Sequence, residues 1–81
     1  FNNDKIIDGE YKTYFEDGKI SIVENYKNGE LEGNKTAYYS NGKICQLQKY
    51  KAGNLNGEEI RYTPDGKILF RYFWENGNIV M

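Results

Sequence analysis

Tyr26-Lys27-Asn28-Gly29-Glu30-Leu31-Glu32-Gly33, continued by residues 34–40 with Tyr38 and closed by Asn41-Gly42, decides the fold because the chain repeats it. Shifted by 24 residues in either direction, the stretch meets its own pattern. Gly9, Gly33 and Gly57 share one lattice position, Gly18, Gly42 and Gly66 a second, and Gly29, Gly53 and Gly77 a third, which accounts for all nine glycines. The same shift superposes Tyr14, Tyr38 and Tyr62; Tyr26, Tyr50 and Trp74; Ile20, Ile44 and Ile68; Lys19, Lys43 and Lys67; and Leu31, Leu55 and Ile79. A period carried by turn residues and apolar residues together marks a repeat array. The 81 residues read as one repeat domain, 1–81. It comprises a degenerate start at 1–7, a partial unit at about 8–25, units at 26–49 and 50–73, and a partial unit at 74–81.

Composition narrows the function classes. A compact domain of 81 residues is close to the lower limit for burying its own core, a limit that stacked repeats relax. Apolar residues make up 38% of the chain, and eight Tyr and four Phe supply much of that, which suits a thin sheet of amphipathic rings. Eleven basic and twelve acidic side chains are interspersed, so no basic footprint for nucleic acid or an anionic membrane is present. One cysteine, Cys45, excludes an internal disulfide framework, and the lack of histidine removes the usual zinc sites. No apolar run is long enough to span a membrane, and no signal peptide is visible. The start at Phe1 and the stop at Met81, where the lattice expects a further strand, read as a processed chain or a piece of a longer one.

Turn signals recur at Asp17-Gly18, Asn28-Gly29, Asn41-Gly42, Ala52-Gly53, Asp65-Gly66 and Asn76-Gly77, with gaps alternating between 11 and 13 residues. Such dipeptides tolerate positive φ at both central positions, so the expectation is a type I′ turn at each. Pro64 is placed just before its turn, at a strand end where a missing amide costs little. The nine- and eleven-residue segments between turns show no helical apolar period and read as strands of about 30 to 37 Å. The expected fold class is all-β: an open antiparallel meander of β-hairpins, forming a single-layer or curled elongated sheet.

Two-residue turns fix the register, placing Gly9 opposite Tyr26, Gly33 opposite Tyr50 and Gly57 opposite Trp74. The expectation there is a ring lying across bare glycine backbone. The predicted packed face holds Ile20, Ile22, Tyr26, Leu31, Ala37, Tyr39, Ile44, Tyr50, Leu55, Ile68, Phe70, Tyr72, Trp74 and Ile79. Tyr14, Val23, Tyr38, Cys45, Leu47, Ile60, Tyr62, Leu69 and Phe73 fall on a thinner second face. A residue bulged at any mid-strand glycine would swap faces beyond it.

The repeated Tyr-x-x-Gly-x-Leu-x-Gly of Tyr26, Gly29, Leu31 and Gly33, with Tyr38 and Asn41-Gly42-Lys43-Ile44 after it, resembles the MORN repeat over about residues 8–79. It is most similar to the bacterial, YwqK-type variant, which carries an antitoxin-component label. Tyr-x-x-Gly and a lone glycine at Gly33 and Gly57 depart from the eukaryotic pattern, so lipid-binding and kinase-associated roles are not carried over. The resemblance implies an elongated hairpin sheet used for protein contacts.

Candidate chemistry is sparse. Glu30 with Glu32 and the pair Glu58-Glu59 are the only carboxylates grouped as catalysis would need, and they read as solvated strand residues. Asp65 and Asn76 read as turn residues rather than calcium ligands, and Cys45 as a small packing residue. Lys19, Lys43 and Lys67 form a row beside the turns, as solubility asks. No catalytic residue, metal or cofactor is expected. The informative excess is Ile68, Leu69, Phe70, Tyr72, Phe73 and Trp74 on one strand near the C-terminus, which reads equally as a strand covered by residues after Met81 or as a binding or self-association patch. The function expected is therefore a non-catalytic scaffold binding a protein through Trp74, Tyr72, Phe70, Phe73, Tyr50 and Tyr26, with homodimerisation through the C-terminal strand as a variant. Glycan or cell-wall binding is the alternative, since rings on successive hairpins hold sugars in other arrays, and an antitoxin is a third reading. Nucleic acid and membrane insertion are not expected, and export of a bacterial protein is favoured over a cytoplasmic site.

Overall fold

The computed structural model describes residues 8–80, so the degenerate start at 1–7 lies outside the described residues. Among the described residues nine strands follow one another: β1 Gly9–Tyr14, β2 Ile20–Lys27, β3 Glu30–Leu31, β4 Gly33–Tyr38, β5 Ile44–Lys51, β6 Asn54–Leu55, β7 Gly57–Tyr62, β8 Ile68–Glu75 and β9 Asn78–Ile79. All belong to one antiparallel sheet with the path β1-β2-β4-β5-β7-β8-β9, while β3 also pairs with β2 and β6 with β5. The sheet is open, and the molecule measures 44 × 36 × 12 Å, the thickness of one layer with its side chains. The meander follows from the turn spacing, because short loops can only return the chain antiparallel beside itself.

The two classes of turn differ, although both end in glycine. At the shorter connections both residues have positive φ: Asn28 (54°) and Gly29 (82°), Ala52 (51°) and Gly53 (86°), Asn76 (49°) and Gly77 (85°). These are the expected type I′ turns. At the longer connections only Gly18, Gly42 and Gly66 have positive φ. There Gly18 N–H donates to the Phe15 carbonyl (2.9 Å) and Phe15 N–H to the Lys19 carbonyl (2.8 Å), enclosing a three-residue loop. The type I′ expectation is corrected at these three sites to a three-residue loop, an i to i+3 hydrogen-bonded turn of ordinary φ followed by a left-handed glycine. Pro64 consequently sits inside its turn, directly after Thr63, where its fixed φ is favoured.

The three-residue loop shifts the register by one, and a bulge then restores it. Tyr14 faces Ile20 but Thr13 faces Ile22, so Ser21 is unopposed; Cys45 and Leu69 are skipped in the same way. Beyond the bulges the expected pairs are present: Gly9 with Tyr26, Gly33 with Tyr50, Gly57 with Trp74. The bulges lie beside the long turns and not at the mid-strand glycines. They carry Ile20, Ile44 and Ile68 to the face of Tyr14, Tyr38 and Tyr62, which corrects their placement with Ile22 and Tyr26. That second face also holds Ile60, at 7% exposure the most buried apolar residue described.

No ring is among the nearest atoms that a side chain at a mid-strand glycine would meet. A Cβ on Gly9 or Gly33 would meet nothing within 4 Å, and on Gly57 it would meet Lys49 rather than Trp74. Glycine stands there because φ is +89° at Gly33 and +119° at Gly57, where an L side chain is strained. The kink breaks each eleven-residue segment into a two-residue and a six-residue strand, so the unbroken strands are shorter than expected. It also accommodates two extra residues, since Tyr26 pairs with Leu31 whereas Val23 pairs with Thr36.

Units are joined side by side. Gly53 N–H donates to the Leu31 carbonyl and Gly77 N–H to the Leu55 carbonyl, each at 2.9 Å. Asp8, Glu32 and Asn56 share a lattice position and accept from the backbone N–H of Asn28, Ala52 and Asn76. At the other end Tyr39 donates its hydroxyl to the Tyr62 carbonyl (2.7 Å) and Asn41 its amide to that of Pro64 (3.0 Å).

Candidate functional site

Alternation along the strands sorts the candidate rings. Tyr26, Tyr50 and Trp74 lie on one face, each between the glycine of one neighbour and Leu31, Leu55 or Ile79 of the other. They recur every second strand, about 10 Å apart. Phe70 and Tyr72 share this face on β8, with ring centroids 4.8 Å apart and planes tilted by 34°. Phe73 alone among the candidates points to the opposite face. Tyr26 is half-buried, and burial, then the Glu24 charge to which its hydroxyl donates (3.3 Å), pushes its pKa above the ordinary tyrosine value.

Beside Trp74 the same face holds a buried carboxylate. Glu59 is 7% exposed, and its Oε1 accepts the Trp74 indole N–H at 2.7 Å. Its Oε2 accepts the side-chain amides of Gln46 (2.8 Å) and Gln48 (2.9 Å). Three N–H donors compensate the loss of water around the charge and occupy both oxygens, so the group is a clamp on the Trp74 ring rather than a base poised for proton transfer. This corrects the reading of Glu58 and Glu59 as two solvated residues: Glu58 lies on the other face, 3.0 Å from Arg71 Nε. A signal existed in the lattice. Where one unit places Glu24 and Lys35, joined at 3.5 Å, the next places Gln48 and Glu59, a matched exchange of partners across the same junction.

The remaining candidates disperse. Glu32 accepts from Ala52 N–H while Glu30 is exposed, and Asp65 and Asn76 are turn residues. Among the described residues no group of three or more Cys, Asp or Glu side chains could hold a metal ion. Cys45 is half-buried at its bulge near Tyr39, whose hydroxyl is pushed up by burial first and by that thiol second. Lys19, Lys43 and Lys67 stay exposed at the ends of the long turns.

Each structural unit thus presents one hairpin pair with a ring, a kinking glycine and a type I′ turn in fixed order. The model of the MORN repeat variant matches residues 7–28, 31–52 and 55–71, more than half of the chain. The chain belongs to the MORN repeat family. MORN repeats are typically non-catalytic modules, and they are generally associated with protein or membrane binding. No curated protein and no solved structure matches the chain.

Proposed function

We propose that this MORN repeat chain is a non-catalytic scaffold that holds a protein partner on the face bearing Tyr26, Tyr50, Phe70, Tyr72 and Trp74. The supporting observation is that five of the six candidate rings share one side of a one-layer sheet, with Trp74 held in place by Glu59. Rings fixed before binding lose little conformational freedom on contact, which is why Tyr and Trp dominate binding hot spots. The near-balance of charge favours a protein over an anionic membrane. The Tyr-x-x-Gly spacing favours the bacterial variant of the repeat, in which a toxin is one identity the partner could take.

The test compares Tyr72→Ala with Phe73→Ala, residues of equal exposure on opposite faces (38% and 37%). Affinity capture from lysate and envelope fractions, read by mass spectrometry, should yield a protein whose binding falls about tenfold in Tyr72→Ala and stays unchanged in Phe73→Ala. Equal losses, or none, reject this face. A Trp74 fluorescence change with polysaccharide and no captured protein would replace the reading with glycan binding.

A further inference from the structure

Four asparagines in this chain precede a glycine: Asn28, Asn41, Asn56 and Asn76. Asparagine is chemically labile, and a following glycine, having no side chain, leaves the carboxamide carbon open to attack by the next backbone nitrogen. As bare dipeptides the four are equivalent. The fold makes them unequal.

In its long turn Asn41 is exposed, yet its carboxamide is held at both ends. Oδ1 accepts the Lys43 N–H (2.8 Å), Nδ2 donates to the Pro64 carbonyl (3.0 Å), and the attacking group, the Gly42 N–H, donates to the Tyr39 carbonyl (2.9 Å). Asn56 is half-buried at the head of β7. Its Oδ1 accepts the Asn76 N–H, its own N–H donates to the Lys49 carbonyl (2.9 Å), and Gly57 is paired with Trp74. Asn28 and Asn76 stand differently. Each is the first central residue of an exposed type I′ turn, fastened by its backbone N–H to Asp8 or Asn56. Among the described residues neither carboxamide has a hydrogen-bond partner, so nothing holds it away from the following glycine. The Gly77 N–H does donate to the Leu55 carbonyl, but attack at Asn76 has that one bond to break, against three at Asn41.

We propose that Asn28 and Asn76 are sites of deamidation, and that the hydrogen bonds around Asn41 and Asn56 protect those two. The glycine nitrogen forms a bond to the asparagine Cγ, the Cγ–Nδ2 bond breaks, and the amide proton leaves with the side-chain nitrogen as ammonia. A five-membered imide remains, which water opens at either carbonyl. Opening at Cγ gives Asp; opening at the α-carbonyl gives isoaspartate, whose main chain runs through Cγ and is one atom longer. A two-residue loop has no room for that atom, so the iso product undoes the turn that binds a unit to the one before it. The short turn between these two in the array carries Ala52 and is exempt. The sites lie in turns, so the proposal stands independently of what the ring-bearing face binds.

The folded protein, held at mildly alkaline pH and sampled over time, is digested and mapped by mass spectrometry, with isoaspartate methyltransferase labelling to tell the two products apart. Ammonia loss at Asn28 and Asn76 should be at least about tenfold faster than at Asn41 and Asn56, and in urea the four rates should converge to within about threefold. Ala52→Asn places the same dipeptide in the remaining short turn, and position 52 should then react within about threefold of the rate at Asn28. Reaction at Asn41 or Asn56 as fast as at Asn28, no reaction at Asn28 or Asn76 in the folded chain, an order that survives in urea, or an inert position 52 would overturn the proposal.

Discussion

Glu59 and Glu58 are neighbours in sequence and opposites in environment. One faces two glutamine amides and an indole; the other faces Arg71 on the far side of the sheet. Truncating Glu59 to Ala would leave three N–H groups without their acceptor in a half-buried site, at a cost of about 2 to 4 kcal/mol in urea denaturation. Glu59→Gln keeps one acceptor oxygen and should lose about half as much, with a red-shifted Trp74 emission in Ala but not in Gln. This residue was poorly legible in the sequence. It was read with Glu58 as a solvated strand residue, because composition treats every strand carboxylate so, and only the swap of Glu24 and Lys35 for Gln48 and Glu59 marks the junction. The rings were legible because Tyr26, Tyr50 and Trp74 keep one lattice position. Phe73 was grouped with them by composition, although alternation in the sequence already set it on the second face, where the structure has it.

At the scale of the element, two kinds of hairpin end in the same kind of dipeptide. Asp17-Gly18 and Asn28-Gly29 look alike in sequence, but the loop of three leaves Asp17 with ordinary φ and places only Gly18 in the left-handed region. The spacing of turns was therefore readable while their type was not, and the bulges at Ser21, Cys45 and Leu69 followed from the type. The isoleucines beside those bulges were assigned to the wrong face for this reason alone. One turn carries a residue ill-suited to its conformation: Ala52 at φ 51°, where the other two units have Asn. Ala52→Asn should stabilise the chain by about 0.5 to 1 kcal/mol, seen as a higher urea midpoint with an unchanged slope. The backbone N–H of residue 52 keeps its bond to Glu32 in either case.

The whole molecule is a sheet 12 Å thick in which, among the described residues, only Glu59 and Ile60 are buried. Stability must then reside in the junctions between units more than in an interior, as in other one-dimensional arrays. Inserting a second copy of residues 26–49 after Lys49 adds a unit with both of its junctions intact. The thermal midpoint should rise by at least about 4 °C, and a drop would show that the junctions are not transferable. The sequence carried this architecture plainly, because period and turns together allow little but an open meander. It did not carry the kinks, since a glycine opposite an aromatic reads as space for a ring when it is in fact a need for positive φ.

The bonds from Asp8, Glu32 and Asn56 to backbone groups twenty residues further on have a bearing on biosynthesis. Each short turn is fastened to an acceptor that left the ribosome before it, and none waits for a segment from the far end of the chain. Every contact that orders a new hairpin is at hand when that hairpin emerges. The molecule can close like a zip at the pace of translation, each unit serving as template for the one after it.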